Sequence, residues 1–154
     1  MLHLALYHPA IPQNTGNIAR TTVGMGAHLH LIHPMKFEIT DHAVKRAGLD
    51  YWPSVTLTEH ADSDAFLRWL GERRPWLVTK HGTHRFDRPD YQRGDVIILG
   101  NENTGLPAAW HDRWPDRGVS IPMPGPISGG ANIRSYNLSN SAAIVLAQAR
   151  LGLG

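Results

Sequence analysis

A short apolar run, Leu2–Tyr7, closes at His8-Pro9 and is followed by helical spacing, with Ile18, Ala19, Thr22 and Val23 recurring until Gly24 and Gly26 stop them. The same alternation recurs along the chain. His28–His33 alternates His with Leu or Ile up to Pro34, and Asp41–Ala47 reads as a short helix with an acidic cap. Val55–Leu57 is a short strand, and Ala65, Phe66, Trp69 and Leu70 form one buried face of a helix over Asp62–Leu70. Trp76–Thr79 and Val96–Leu99 are strands flanking a polar loop, His81–Arg93, and Val119–Ile121 is a last short strand. Leu138–Leu151 is helical and apolar on more than one side. Strands alternating with helices predict an α/β fold, a single domain over residues 1–154 with a mainly parallel sheet and helices on both faces. Ligands of such sheets bind beyond the carboxyl ends of strands, here the loops after Tyr7, Thr79, Leu99 and Ile121. The last helix needs a second layer or a second copy of the chain to cover it, which predicts a homodimer.

Composition narrows the chemistry. The chain is 42% hydrophobic and 18% charged, enough apolar material for one core, which excludes disorder. All fifteen cations except Lys36, Lys45 and Lys80 are arginine, the side chain suited to bidentate phosphate contacts, and the net charge of +2 permits an RNA partner without demanding one. The absence of cysteine excludes disulfides, thiolate nucleophiles and Cys-bearing zinc sites. His28 and His30 share one strand face, but without a nearby acidic partner no metal site is expected from them or from His33, His81 and His84. No Gly-x-Ser-x-Gly elbow supports hydrolysis, and no Gly-x-Gly-x-x-Gly follows the first strand. No run approaches the ~18 apolar residues of a membrane span. The opening MLHLALYHPAIP lacks a basic stretch before its apolar run, so a cytoplasmic protein without membrane contact is expected.

Three constellations carry potential chemistry. In Asn14-Thr15-Gly16-Asn17-Ile18-Ala19-Arg20, helix N-terminal amides and an Arg one turn inside suit an anion; ordinary capping is the plainer reading. In Gly100-Asn101-Glu102-Asn103-Thr104-Gly105-Leu106-Pro107, two glycines let backbone approach a ligand, and Glu102 is an acceptor for ribose hydroxyls or a cation; the plainer reading is a turn before a short helix. The third is Ile121-Pro122-Met123, a Gly/Pro/Ser loop, and Ser135-Tyr136-Asn137-Leu138-Ser139-Asn140. A long loop of that kind inside a compact domain is uncommon without a binding or topological task, although capping accounts for part of it. Trp52, Trp110 and Trp114 are core or rim residues that also offer faces for base stacking.

Taken in order, NTGNIAR, ILGNENTGLP, and IPM followed by SYNLSN resemble the SPOUT-class RNA ribose methyltransferases, over essentially the whole chain. The small size and the stretch Lys45-Arg46-Ala47-Gly48-Leu49-Asp50-Tyr51-Trp52 resemble most the branch that methylates the wobble ribose, position 34, of tRNA. The resemblance implies a SPOUT fold with a C-terminal deep trefoil knot, a homodimer, the tRNA anticodon loop as partner, and S-adenosylmethionine as methyl donor without a metal. It implies that Val78, Thr79, Gly100, Glu102, Ile121, Met123, Ser135 and Leu138 line the cofactor pocket, much of it through backbone. Asn14, Asn17 and Arg20 then face the acceptor nucleotide, and Arg20, Ser135 and Asn137 are the catalytic set. Two departures stand out: Pro124–Arg134 is longer than usual for this branch, and Asn101 and Asn103-Thr104 replace the Pro and Thr-Arg expected around Glu102.

In the family proposal the Arg matching Arg20 is a general base. A guanidinium holds its proton with a pKa above ~12, so Arg20 is better read as a clamp on the adjacent phosphate and a stabiliser of developing alkoxide, with phosphate or water taking the proton. Two other readings stay open: the same chemistry at a different tRNA or rRNA ribose, and a non-catalytic knotted RNA-binding factor.

Overall fold

The computed structural model describes residues 1–46, 49–125, 133 and 135–154. Seven strands, β1 (His3–Tyr7), β2 (His28–Ile32), β3 (Leu57–His60), β4 (Pro75–Val78), β5 (His84–Arg85), β6 (Val96–Leu99) and β7 (Gly118–Ser120), form one sheet in the order β3-β2-β1-β6-β4-β7-β5. Every pairing is parallel, as the alternation of strands and helices predicts. The helices are α1 (Pro12–Met25), α2 (Asp41–Arg46), α3 (Ser63–Leu70), α4 (Ala108–Arg113) and α5 (Leu138–Gly152), with a 3-10 turn at Trp52–Ser54.

The side-chain period of two divides the core between the faces of the sheet. Leu4, Leu6, Leu29, Leu31, Ile97 and Leu99 pack with Ile18 and Ala19 of α1 and Ala142, Val145, Leu146 and Ala149 of α5. Ala5, Ile32, Val96 and Ile98 point the other way, onto Phe66 and Leu70 of α3 and Trp110 of α4. Helices therefore cover both faces. Helix α5 leaves Ile144 and Leu151 exposed. The path of residues 126–132 and 134, on which the expected knot depends, lies outside the described residues, as do Ala47 and Gly48.

Several local expectations are corrected. Helix α1 begins at Pro12, earlier than the capping side chains Asn14 and Thr15 imply, because a proline with its φ preset suits the first helical position. Those two residues are instead buried inside its first turn. Helix α2 begins at Asp41, and the Thr40 hydroxyl just before it accepts from the Ala43 N–H at 3.1 Å. Val55 closes the 3-10 turn through its N–H to the Trp52 carbonyl, so the third strand runs over Leu57–His60 and not Val55–Leu57. Its polar residues Thr58, Glu59 and His60 pair in register with His30, Leu31 and Ile32, and this pairing, which periodicity does not reveal, makes them a strand. The loop His81–Arg93 contributes the two-residue strand β5 at the sheet edge.

Backbone comes very close to backbone where the segment after β4 crosses β7. A Cβ on Gly82 would lie 2.4 Å from the Val119 carbonyl carbon, a backbone contact that no rotamer relieves. Gly82→Ala is expected to destabilise the fold by about 1–3 kcal/mol, seen in calorimetry as a Tm lower by about 2–12 °C. An unchanged Tm would show that the crossing loop moves freely.

On the α3 face, the register of β1 against β2 sets His3 opposite His28, with His30 two residues on. The nitrogens of His3 and His30 are 3.0 Å apart and those of His30 and His60 2.9 Å apart, so three imidazoles are hydrogen-bonded in series. His28 stacks on His30 and bonds the Thr58 hydroxyl at 2.8 Å, and Trp69 of α3 covers His30 with ring centroids 4.1 Å apart. His3, His28 and His30 each place a ring nitrogen within 4.8 Å of the others, a convergence that depends on strand register. His33 turns instead to Glu59, at 2.9 Å. Burial, reinforced by the neighbouring His28 and by Arg73, lowers the pKa of His3 to about 4 and that of His30, also beside His3 and His60, to about 2. Both stay neutral in the folded chain while the unfolded chain takes up protons below about pH 6.5. Stability is therefore full above pH 6.5 and falls as the pH drops toward 4. The urea midpoint should decrease between pH 7 and pH 5, and a His3→Gln/His30→Gln variant should lose much of that slope; a flat wild-type midpoint would contradict the folded-state neutrality.

Candidate active site

The carboxyl ends of β1, β4, β6 and β7 lie together, and one carboxylate joins the first of them to the middle of the chain. Glu102, in the loop after β6, accepts from the Ala10 N–H through Oε1 at 3.0 Å and from the Ile11 N–H through Oε2 at 2.7 Å. Ile11 is the N-cap of α1 and supplies no side-chain cap, so a distant anion takes up free donors at the positive end of that helix. The same Oε2 accepts from Asn14 Nδ2 at 3.3 Å. Asn14 is 5% exposed, and its Oδ1 accepts from Asn137 Nδ2 at 3.1 Å. Asn137 in turn caps α5, its Oδ1 accepting from the Ser139 N–H at 2.9 Å and hydroxyl at 2.6 Å. One chain of hydrogen bonds thus runs through all three sequence constellations.

The loop bearing Glu102 is rigid. Asn101 and Gly105 exchange both backbone bonds, and Asn101 Oδ1 accepts from the N–H groups of Asn103 and Thr104. Gly105 takes φ +70°, and a Cβ on Gly100 would fall 2.4 Å from the Gly105 carbonyl carbon, so the turn folds back against its own strand. Asn101 Nδ2 donates to the His8 carbonyl at 2.6 Å. His8 itself has φ +47°, stacks on Tyr7, and buries an Nε2 without a hydrogen-bond partner among the described residues. Burial lowers its pKa, against the opposing pull of the His33 backbone.

The remaining expected site residues fall into two groups. Val78, Ile121 and Leu138 are partly buried and packed against the same core cluster, forming a wall at the ends of β4 and β7 and the start of α5. Beside it, the Thr79 N–H donates to the Val119 carbonyl, and Met123 and Ser135 are exposed. The Tyr136 hydroxyl donates to the Pro122 carbonyl at 2.7 Å and so pins the segment before α5 to the segment after β7. An adenine ring needs an uncovered apolar wall and nearby backbone polar groups, and the residues present fit that need. Asn17 and Arg20 are exposed on α1, three and six residues after the buried Asn14. Sequence reasoning missed the structural parts of Asn101, His8 and Tyr136; the Asn-x-Asn-Thr-Gly text signals a turn, but which backbone it braces appears only in three dimensions.

Over 155 residues, 100% of this chain and 95% of the other, the sequence is 40% identical to a tRNA (cytidine(34)-2'-O)-methyltransferase of Escherichia coli strain K12. A solved structure described by its role in 2-OH methylation of C/U34 on tRNA superposes with a TM-score of 0.86 at 40% identity, covering 97% of this chain and 93% of that one. An AdoMet-bound rRNA methyltransferase from Sinorhizobium meliloti superposes with a TM-score of 0.81 at 26% identity, covering 99% of this chain but 56% of that one. The family model of the SpoU rRNA methylases matches residues 1–147, all seven strands of the sheet and most of α5, and the chain belongs to that family.

Proposed function

We propose that this protein methylates the 2′-oxygen of the wobble ribose, position 34, of tRNA. The observation that carries the reading is the chain Glu102–Asn14–Asn137, which fixes the N-termini of α1 and α5 to the loop after β6 and leaves Asn17 and Arg20 exposed beside it. Relatives alike over nearly their full length support the wobble position. S-adenosylmethionine, when bound, supplies a methyl group carried on a positively charged sulfur, leaving S-adenosylhomocysteine. Val78, Thr79, Gly100, Glu102, Ile121, Met123, Ser135 and Leu138 would hold it.

The chain's own contribution is positioning, since a direct displacement needs aligned partners and a proton acceptor and no covalent enzyme intermediate. Arg20 grips the phosphate next to the acceptor ribose and stabilises negative charge growing on the 2′-oxygen; the 2′-hydroxyl proton passes to that phosphate or to water. Ser135 and Asn137 orient the ribose, and Asn137 is itself held by Asn14. The exposed Ile144 and Leu151 of α5 fit a homodimer. No described helix is long and apolar enough to cross a membrane, and a tRNA substrate supports a cytoplasmic location.

The test is transfer of labelled methyl from S-adenosylmethionine to total tRNA from a strain lacking this protein, with the modified nucleoside mapped by mass spectrometry. A 2′-O-methyl at position 34 is expected. Label at another tRNA or rRNA ribose would overturn the substrate, and tight cofactor binding without transfer would overturn the activity. Arg20→Lys should retain partial activity with a KM for tRNA raised ~10-fold, about 1.4 kcal/mol of binding. Unchanged tRNA affinity with complete loss of rate would contradict the clamp.

A further inference from the structure

A cavity of about 370 Å³ opens between α1 and the segment that follows β2, on the carboxyl side of the sheet and apart from the Val78–Ile121–Leu138 wall. Gln13, Gly16 and Asn17 of α1 form one side, Phe37 and Glu38 another, and Trp52 a third. Its size is at the lower end of small-molecule pockets, ~300–1,000 Å³, ample for a pyrimidine ring. Trp52 is a firm surface. Its outer neighbour Tyr51 donates a hydroxyl bond to the Gly16 carbonyl at 2.6 Å, Trp52 packs against the core, and the 3-10 turn that carries it is closed at both ends by backbone bonds. Aromatic faces held in this way are platforms for base stacking.

The polar groups around that platform have a definite sense. Glu38 is a pure acceptor when ionised, whereas the amides of Gln13 and Asn17 both donate and accept. Cytosine presents an amino donor at position 4 where uracil presents an oxygen, and a carboxylate is the natural partner of that amino group. Gln13, Asn17 and Arg20 lie four and three residues apart and share one stripe of α1, with Gly16 beside it, so Arg20 stands about one turn, ~5.4 Å, beyond the cavity wall. Its charge reaches the neighbouring Tyr51, offsetting part of the rise in pKa that burial gives the Tyr51 hydroxyl. A base in the cavity and its phosphate on Arg20 would together span one nucleotide.

We propose that this cavity receives the base of the acceptor pyrimidine, its face on Trp52 and its amino edge toward Glu38, and that Glu38 favours cytidine over uridine. The proposal rests on the wobble-methylation reading and assigns the recognition half of the same site.

The experiment compares kcat/KM of the full-length protein for otherwise identical tRNA transcripts carrying C34 or U34. Both are expected as substrates, with C34 preferred by about 5- to 150-fold, the range of one good base-edge contact. Glu38→Gln should bring the two within about threefold by weakening C34 and improving U34. Trp52→Ala should raise KM for both about tenfold or more, with S-adenosylmethionine affinity unchanged, and Trp52→Phe should restore most of the loss. Equal C34 to U34 ratios in wild type and Glu38→Gln would overturn the amino-edge contact. A Trp52→Ala variant that changes sedimentation while sparing KM would make the cavity a contact between copies of the chain and overturn it as a base site. Failure of the wobble reading is distinguishable: wild-type protein would then methylate neither transcript, whereas failure of this proposal leaves methylation intact and insensitive to Glu38 and Trp52.

Discussion

The Glu102 carboxylate is where the architecture and the site meet. Its two oxygens receive the Ala10 and Ile11 N–H groups and the Asn14 amide. Those contacts fix how α1 leaves β1, and through Asn14 and Asn137 they fix how α5 begins. A charged acceptor at a helix N-terminus makes stronger bonds than a neutral cap, and the macrodipole adds to them. Because Asn14 is buried, its hydrogen bonds are costly to lose, so the three segments are expected to move as a unit. Residues on the outer stripe of α1 inherit that rigidity, which a reaction limited by alignment requires.

Much of the fold was legible in the chain because it follows from local periodicity. The apolar alternation of Leu4, Leu6, Ile97 and Leu99 against Ala5, Val96 and Ile98 marks strands buried on both faces, and the spacing of Phe66 and Leu70 marks a helix lying on one of them. The failures share a cause. Pro12 displaces the start of α1, and Leu57–His60 becomes a strand only by pairing with β2. Each depends on a partner distant in sequence or on competition between adjacent capping signals.

The site was legible to a similar degree. The loops after β1, β4, β6 and β7 were identifiable from the α/β pattern, and the three constellations do gather there. Which atoms face a ligand and which brace the structure was not identifiable. Glu102 and Asn14 read equally well as ligand contacts or as supports, and their hydrogen bonds show the supporting function directly. Trp52 carried a stacking reading from its residue type alone; the cavity beside it requires the chain after β2 to return over α1.

The imidazoles of His3, His30 and His60 have a consequence of a different kind. A neutral imidazole carries one N–H and one lone pair, so His30, bonded through both nitrogens, must donate to one neighbour and accept from the other. The two bonds therefore point the same way along the series, either from His3 toward His60 or the reverse. The tautomer of any one ring dictates those of the other two. The row has two states of opposite polarity, and passage between them requires all three rings to exchange protons together, which makes this row, running from the start of β1 to the end of β3, a small reversible dipole.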